Sequence, residues 1–373
     1  MQVLFGSGSG LSNSPRVQIW HQNSPGVDGD AEIGDDFGGS LAAADFNADG
    51  IDDLAVGVPV EGLGGTVFEY YQAGAVQVFY GQWGTGLVTT GANWIQEGAV
   101  IKGFAIPGSY DDNEHFGWAL GAGDFNDDGV ADLAIGAPDE NGNSGVVTVV
   151  MGWFGLGLTG RDSQSWTQDS PGVPGALETG DRFGATLAVG DWNGDGFDDL
   201  AVGSPFEQVG TMDLAGTVHT LLGSIRGLTA SGAQQFTQDT GSIQDAVETR
   251  DIFGFVLAAG DFNADGRDDL AITASGEGFD GTGSGAGVVH VLNGSSAGLT
   301  TTGNRLWSQN SRNVGGVATA HNVFGRALAA GDFDGDGADD LAIGCPFDDP
   351  GILDAGSVNV LLDLDASAVV IGP

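Results

Sequence analysis

Five stretches of the chain place oxygen-bearing side chains at one spacing. The clearest reads Asp191-Trp-Asn193-Gly-Asp195-Gly196-Phe197-Asp198-Asp199, with Asp or Asn at loop positions 1, 3, 5 and 9 and glycine at 6. The same positions hold Asp45, Asn47, Asp49 and Asp53; Asp124, Asn126, Asp128 and Asp132; Asp261, Asn263, Asp265 and Asp269; and Asp332, Asp334, Asp336 and Asp340. A hard cation such as calcium takes six to eight oxygen ligands at about 2.3–2.6 Å. A short loop supplies them when alternate side chains turn inward and a glycine lets the backbone bend sharply. Position 7 would then add a main-chain carbonyl, from Ile51, Val130, Phe197, Arg267 or Ala338. Position 8 is Asp in four copies but Ala131 in the second, which makes position 9 the better ligand candidate. Asp, Asn and Gly also favour plain turns. Oxygen kept at four positions in five copies goes further than a turn requires, and so much clustered charge needs a counter-ion. About five calcium ions are expected.

The ligand order is that of the first half of an EF-hand loop, without the closing glutamate at position 12 and without flanking helical patterns. The flanks are short β-rich runs, as in FGATLAVGDWNGDGFDDLAVGSP over 183–205, and the same phrase begins at Phe37, Phe116, Phe253 and Phe324. Each loop is therefore expected to join two strands.

Around this phrase the chain repeats itself. An alternating strand ending in glycine recurs as QVLFG, VQVFYG, VTVVMG, VHTLLG and VHVLNG, and a sixth copy, VNVLL, lies at 358–362. A Gly-Leu pair follows, then an aromatic strand with glutamine two residues on: Trp20/Gln22, Trp94/Gln96, Trp166/Gln168, Phe236/Gln238 and Trp307/Gln309. First loop aspartates stand 79, 67, 70 and 71 residues apart. An insertion between Trp94 and Phe116 carries a tip, IPGSYDDNE, expected to be exposed. Four short strands per unit and no sustained 3.6-residue period imply an all-β chain with almost no helix. Tandem four-stranded units are the signature of β-propeller blades. The expected organisation is a single domain over 1–373, with units near 1–73, 74–144, 145–215, 216–286 and 287–357 and a terminal strand at 358–373. A five-bladed ring closed by both termini is favoured over a piece of a larger propeller. In it, the N-terminal strands finish the blade begun by Phe324–Pro346.

Composition narrows the function classes. With 10 basic and 51 acidic residues the formal net charge is -41. Such a surface repels nucleic-acid phosphates and anionic lipid, so neither is an expected partner. No run of about 18 apolar residues is present, so no membrane insertion is expected. The start, MQVLFGSGSG, lacks the pattern of a secretory signal. The acidic surplus suits a calcium-rich or salty extracellular setting. Cys345 is the single cysteine and reads as a buried filler in Gly344-Cys345-Pro346. His21, His115, His219, His290 and His321 are scattered, without zinc-site spacing, and read as surface or packing residues. The GTGSGAG run at 281–287 lacks the lysine and following helix of a phosphate loop and is expected to be a flexible loop. The Trp/Gln strand is expected to pack between blades, its amide on a backbone group. The alternative is sugar recognition by an exposed indole. No catalytic constellation emerges, so the chain is not expected to be an enzyme.

Phe-Gly and Gly-Ala-Pro with DxNxDGxxD between them resemble the FG-GAP repeat of the integrin α-subunit propeller and its bacterial relatives. Gly136-Ala137-Pro138 matches that signature in full. Gly57-Val58-Pro59, Gly203-Ser204-Pro205 and Gly344-Cys345-Pro346 depart by one residue, and Thr273-Ala274-Ser275 has drifted further. The resemblance implies a calcium-stabilised propeller outside the cell or on its surface, engaged in adhesion or ligand binding to a protein or glycan. Integrin propellers have seven blades and shorter repeats, with cation loops in only some; here five units all carry complete loops. Lectins and modules joined to phospholipases or other hydrolases are the alternative settings. A monomer, or part of a larger multidomain chain, is expected.

Overall fold

The computed structural model describes residues 1–7, 10–62, 72–109, 111–278, 285–351, 354–362 and 364. An N-terminal hairpin pairs β1 (Gln2–Ser7) with β2 (Gly10–Ile19). The first four-stranded sheet is β3 (Leu41–Ala44), β4 (Asp53–Val58), β5 (Ala75–Gln82) and β6 (Gly86–Ile95). The insertion forms a small hairpin of β7 (Val100–Ile101) and β8 (Phe104–Ala105). The second sheet is β9 (Ala119–Gly123), β10 (Asp132–Ala137), β11 (Val146–Met151) and β12 (Thr159–Trp166). The third is β13 (Thr186–Gly190), β14 (Asp199–Ser204), β15 (Thr217–Leu222) and β16 (Thr229–Phe236). The fourth is β17 (Phe253–Gly260), β18 (Asp269–Ala274), β19 (Val288–Ser295) and β20 (Gly298–Trp307). The fifth holds β21 (Ala327–Gly331), β22 (Asp340–Cys345) and β23 (Ser357–Leu361).

These sheets are the five blades of a β-propeller, built from antiparallel strands in simple sequential order. Among the described residues one helical turn, Glu140–Asn143, is the whole α-helical content, and no helix is long and apolar enough to cross a membrane. Each blade starts at the Phe-Gly phrase, and the first four end at the aromatic strand. The sixth copy of the glycine-ending strand is used as β23, the hydrogen-bonded partner of β22, while β1 pairs with β2. The fifth blade thus takes its third strand from the C-terminal copy and not from the N-terminal one. The first four residues of the 281–287 run, Tyr110 in the insertion tip, and most of the segment after Leu361 lie outside the described residues.

The chain divides into two compact units. One comprises Met1–Ala122, Gly129–Asn141 and Val146–Ser165, the other Gly123–Asp128, Gly142–Gly145 and Trp166–Pro373. In the first, Phe46, Val76, Val78, Phe116, Leu133 and Ile135 form a continuous buried core. In the second, Trp192, Phe253, Leu270 and Ile272 do so, beside a cluster of Phe262, Phe324, Leu341 and Ile343. All six residues of β10, β14 and β18 are buried. That burial explains why those strands read as unbroken apolar runs and do not alternate.

The insertion tip is only partly exposed. Ile106 is 2 % exposed because it joins the first unit's core, and Glu114 is 3 % exposed.

The paired glycine motifs have one physical cause. A Cβ on Gly203 would lie 2.1 Å from Thr186 Oγ1 and 2.6 Å from the carbonyl oxygen of Gly254, the glycine of the next Phe-Gly pair. Glycine in Gly-Ala-Pro therefore lets the next repeat's Phe-Gly backbone approach. Thr273 fills that position in the fourth repeat, and its Oγ1 accepts from the Val256 amide at 2.9 Å beside an irregular β17. A second contact recurs where Phe116, Phe183, Phe253 and Phe324 donate their amides to Ala73, Ser144, Ala215 and Ala286 at 2.8–3.0 Å. The next residue is glycine each time. At Gly216, with φ of +87°, a Cβ would meet the Phe253 carbonyl oxygen at 2.2 Å.

Gly216→Ala is expected to lower the denaturation midpoint far more than Gly210→Ala, whose φ is +63° in open space. Both lose about 1–2 kcal/mol to left-handed backbone, but only Gly216→Ala also forces two repeats apart. Equal midpoints in chemical denaturation would contradict the close-approach account.

Candidate metal centres in the strand-joining loops

Each loop joins the first two strands of its blade, as the sequence pattern expects. Position 9 opens the second strand and is the most buried of the acidic positions. Asp53, Asp132, Asp199, Asp269 and Asp340 are all 0–1 % exposed. In the first four blades its Oδ1 accepts from the glycine that closes the third strand: Gly81, Gly152, Gly223 and Gly294, at 2.7–2.8 Å. A Cβ on Gly223 would lie 2.4 Å from the Asp198 carbonyl oxygen, so only glycine brings that amide close enough. The other oxygen of position 9 accepts from the position-2 amide of Phe46, Trp192 or Phe333 at 2.8–3.1 Å.

Position 1 organises the turn. In the third loop Asp191 Oδ1 accepts from the amides of Gly194 and Asp195 at 2.8 and 3.1 Å, and Oδ2 from Gly196 at 2.9 Å. Asp45, Asp261 and Asp332 repeat the pattern on Asp49 and Gly50, on Asp265 and Gly266, and on Asp336 and Gly337. Asp124 takes the Asp128 amide at 3.1 Å. Position 5 caps the position-7 amide through Asp49, Asp195, Asp265 and Asp336 at 2.9–3.1 Å. The carbonyls of Ile51, Phe197, Arg267 and Ala338 thus belong to a fixed turn.

The donor set fits a hard cation. Asn193 Oδ1 and Asn263 Oδ1 are buried without a hydrogen-bond partner, acceptors that a cation would satisfy. Carboxylate oxygens of Asp332, Asp334 and Asp336 lie within 4.8 Å of one another. Burial, reinforced by the neighbouring loop aspartates, pushes Asp53, Asp199 and Asp269 up to about 7. A cation beside them would supply the charge that burial and repulsion otherwise exclude.

Position 8, set aside as a ligand, has a different task. Asp198, Asp268 and Asp339 each accept, through Oδ2, the amide of the previous loop's first residue: Asp124, Asp191 and Asp261, at 2.7–3.1 Å. Their own amides donate to the carbonyls of the same three residues at 2.9–3.2 Å. The Ala131 amide makes the equivalent bond to the Asp45 carbonyl at 3.1 Å, without a side chain. Position 8 therefore ties loop to loop. Asp at four of five copies was the available signal, but spacing alone does not separate it from ligation.

The Trp/Gln strand departs from expectation. Gln22, Gln168, Gln238 and Gln309 are 1–4 % exposed. The first three donate Nε2 to the carboxylates of Glu61, Glu207 and Glu277, not to backbone groups. Trp20, Trp94, Trp166 and Trp307 are partly buried. Cys345 is buried, and burial pushes its thiol up to about 12. His219 and His290, both fully buried, stand edge-on to Phe183 and Phe253 at 5.5 Å, and burial lowers both to about 4.

The FG-GAP repeat model matches residues 37–79, 116–150, 183–221, 253–292 and 324–361, more than half the chain. The chain belongs to the FG-GAP repeat family. Integrin alpha-PS2 of Drosophila melanogaster is 30 % identical over 247 residues, covering 63 % of this chain and 16 % of the relative. Integrin alpha-5 of Xenopus laevis is 30 % identical over 238 residues, covering 63 % and 20 %. Phosphatidylinositol-glycan-specific phospholipase D of Rattus norvegicus is 33 % identical over 165 residues, covering 42 % and 18 %. This FG-GAP chain thus spans a fifth or less of the length of these curated relatives.

With chelator present, stability is expected to rise as pH falls from 8 towards 5. Carboxylates raised to about 7 in the fold bind protons that the unfolded chain, near its ordinary value of about 4, does not. That contribution is complete below about 4 and is lost as pH rises through 7. Calcium should abolish most of the slope. Thermal melts at several pH values check this; a chelated protein whose melting temperature climbs with pH over that range would oppose it.

Proposed function

We propose that this FG-GAP chain is a calcium-binding, extracellular or cell-surface propeller that acts as an adhesion or ligand-binding module for a protein or glycan. The observation that carries the reading is the repeated loop geometry. A buried position-9 carboxylate, a position-1 aspartate that gathers the turn's amides and a position-7 residue held by position 5 recur along the chain, and Asn193 Oδ1 and Asn263 Oδ1 are acceptors left over. Calcium takes a structural role, holding the first two strands of each blade and offsetting part of a net charge of -41. The integrin alpha subunits among the relatives support the adhesive setting. The chain itself is a binding module and not an enzyme. Its thiol and two of its imidazoles are packing groups inside blades, and the loop carboxylates are committed to the turns.

The phospholipase relatives favour a second setting, in which the propeller is a non-catalytic module on a hydrolase. A sugar ligand would find a more exposed tryptophan outside the Trp/Gln strand. Trp83 is 89 % exposed beside a cleft of about 420 Å³ that also includes Asp49, Gln82 and Lys102.

Purified chain probed on glycan and matrix-protein arrays is expected to bind in millimolar calcium and not in chelator. Asp195→Asn keeps an oxygen for the Phe197 amide while removing a charge. It should lower the melting temperature in calcium and leave the chelated protein nearly unchanged. Binding that survives chelation, or equal melts of variant and parent in calcium, would contradict the proposal.

A further inference from the structure

The loop ends of the blades do not hold all the buried acid. At the opposite end of the same hairpins, three acidic residues converge again, from fixed places in the repeat. One stands two residues before Phe-Gly and one two residues after Gly-Ala-Pro or its equivalent. In the second repeat these are Glu114 and Glu140, joined by Glu97 from just past the aromatic strand; in the fourth they are Asp251 and Glu277, joined by Glu248. In each set the carboxylate oxygens lie within 4.8 Å of one another. Two ligands on opposite sides of one ion at about 2.4 Å are separated by that distance.

Both sets also contain a buried polar side chain with an acceptor oxygen left unsatisfied. Glu97 is 2 % exposed, and neither of its carboxylate oxygens has a hydrogen-bond partner. The insertion passes over this carboxylate at Gly108, whose φ is +94°, and a Cβ there would fall 2.3 Å from Glu97 Oε2. Glu114 and Glu140 meet carboxyl to carboxyl beside it. In the fourth repeat Gln238 is 1 % exposed. Its Nε2 donates to Glu277 Oε2 at 2.9 Å, and its Oε1 is left without a partner.

The fifth repeat shows what the centre of such a cluster requires. Asn322 replaces the acid before Phe-Gly, and its Nδ2 donates to Gln309 Oε1 at 2.8 Å and to Asp348 Oδ1 at 3.4 Å. An amide carrying partial positive charge bridges there between the acceptors, whereas in the second repeat Glu97 has no such donor and in the fourth the Gln238 amide reaches Glu277 alone. Buried carboxylates without a positive partner are strongly disfavoured.

We infer that the Glu97–Glu114–Glu140 and Glu248–Asp251–Glu277 clusters, the latter with Gln238, are two further sites for a hard divalent cation, of the calcium class, at the end of the blade remote from the DxNxDG loop. All-oxygen donors exclude a preference for soft metals. An ion at either site would pin the entry to Phe-Gly against the exit from Gly-Ala-Pro, as the loop ion pins the hairpin's other end.

The test is an anomalous-scattering map from crystals of the full chain grown near neutral pH with terbium in place of calcium. Peaks among Glu97, Glu114 and Glu140 and among Glu248, Asp251 and Glu277, besides the loop peaks, are expected. Peaks in the triads alone would uphold this inference and refute the loop reading. Peaks in the loops alone would overturn the inference and leave the loop reading standing. No peak anywhere would overturn both. Glu97→Gln should then remove the peak in its own cluster alone and bind one ion fewer per chain by equilibrium dialysis. An unchanged ion count for this variant would also overturn the inference. Because the wild-type map decides first, the outcome does not depend on the variant folding.

Discussion

The structure depends on a buried aspartate at the start of each blade's second strand. Asp199 illustrates the constraint. Its carboxylate is removed from water, one oxygen fixed by the amide of Gly223 and the other by that of Trp192. Those two bonds lock the end of the third strand and the entry of the loop to the same atom pair. They do not neutralise the charge, and burial without a positive partner is costly. The remaining loop oxygens bind the turn's own amides, and Asn193 Oδ1 and Asn263 Oδ1 stay free for a cation to satisfy. The carboxylate that closes the blade is also the one that makes the loop a candidate ion site.

From that point the repeat assembles outward. The position-8 aspartates carry hydrogen bonds from one loop to the previous one, and the Phe-Gly amides do the same at the other end of the hairpin. Between these two rows of bonds the second strands of the second, third and fourth blades are wholly buried, and their apolar residues supply the main driving force. Glycine recurs at the points where two backbones approach closer than a Cβ allows, which accounts for Gly in Phe-Gly, in Gly-Ala-Pro and at the end of the third strand. Thr273 is an instructive exception: the strand facing it is irregular, so the position tolerates a side chain.

The all-β class, the four-strand unit, the loop boundaries and the buried role of Cys345 were legible in the sequence, because each follows from local spacing or composition repeated along the chain. What escaped were partnerships between residues far apart. Position 8 was set aside as a ligand, but its own task stayed hidden because its partner lies in another loop, more than 70 residues away in sequence. The Trp/Gln glutamines looked like backbone-satisfying groups because Glu61, Glu207 and Glu277 are each 39 residues downstream. Ile106 looked exposed because Pro, Gly and Asp surround it, whereas the small hairpin of Val100–Ile101 and Phe104–Ala105 precedes it and it joins the core. Closure of the last blade by Ser357–Leu361 could not be chosen by pattern, since the first and last copies of that strand have similar sequences.

An ion completing the five loops would order the ends of the strands that they join. Amide hydrogen exchange measures this most directly. The amides of Gly81, Gly152, Gly223 and Gly294, together with those bonded to the position-1 aspartates, report the state of each loop. The account predicts that millimolar calcium slows exchange in peptides spanning all five loops and the ends of the third strands, with smaller changes in the aromatic outer strands. Exchange at the loops that is the same with calcium and with chelator would contradict it.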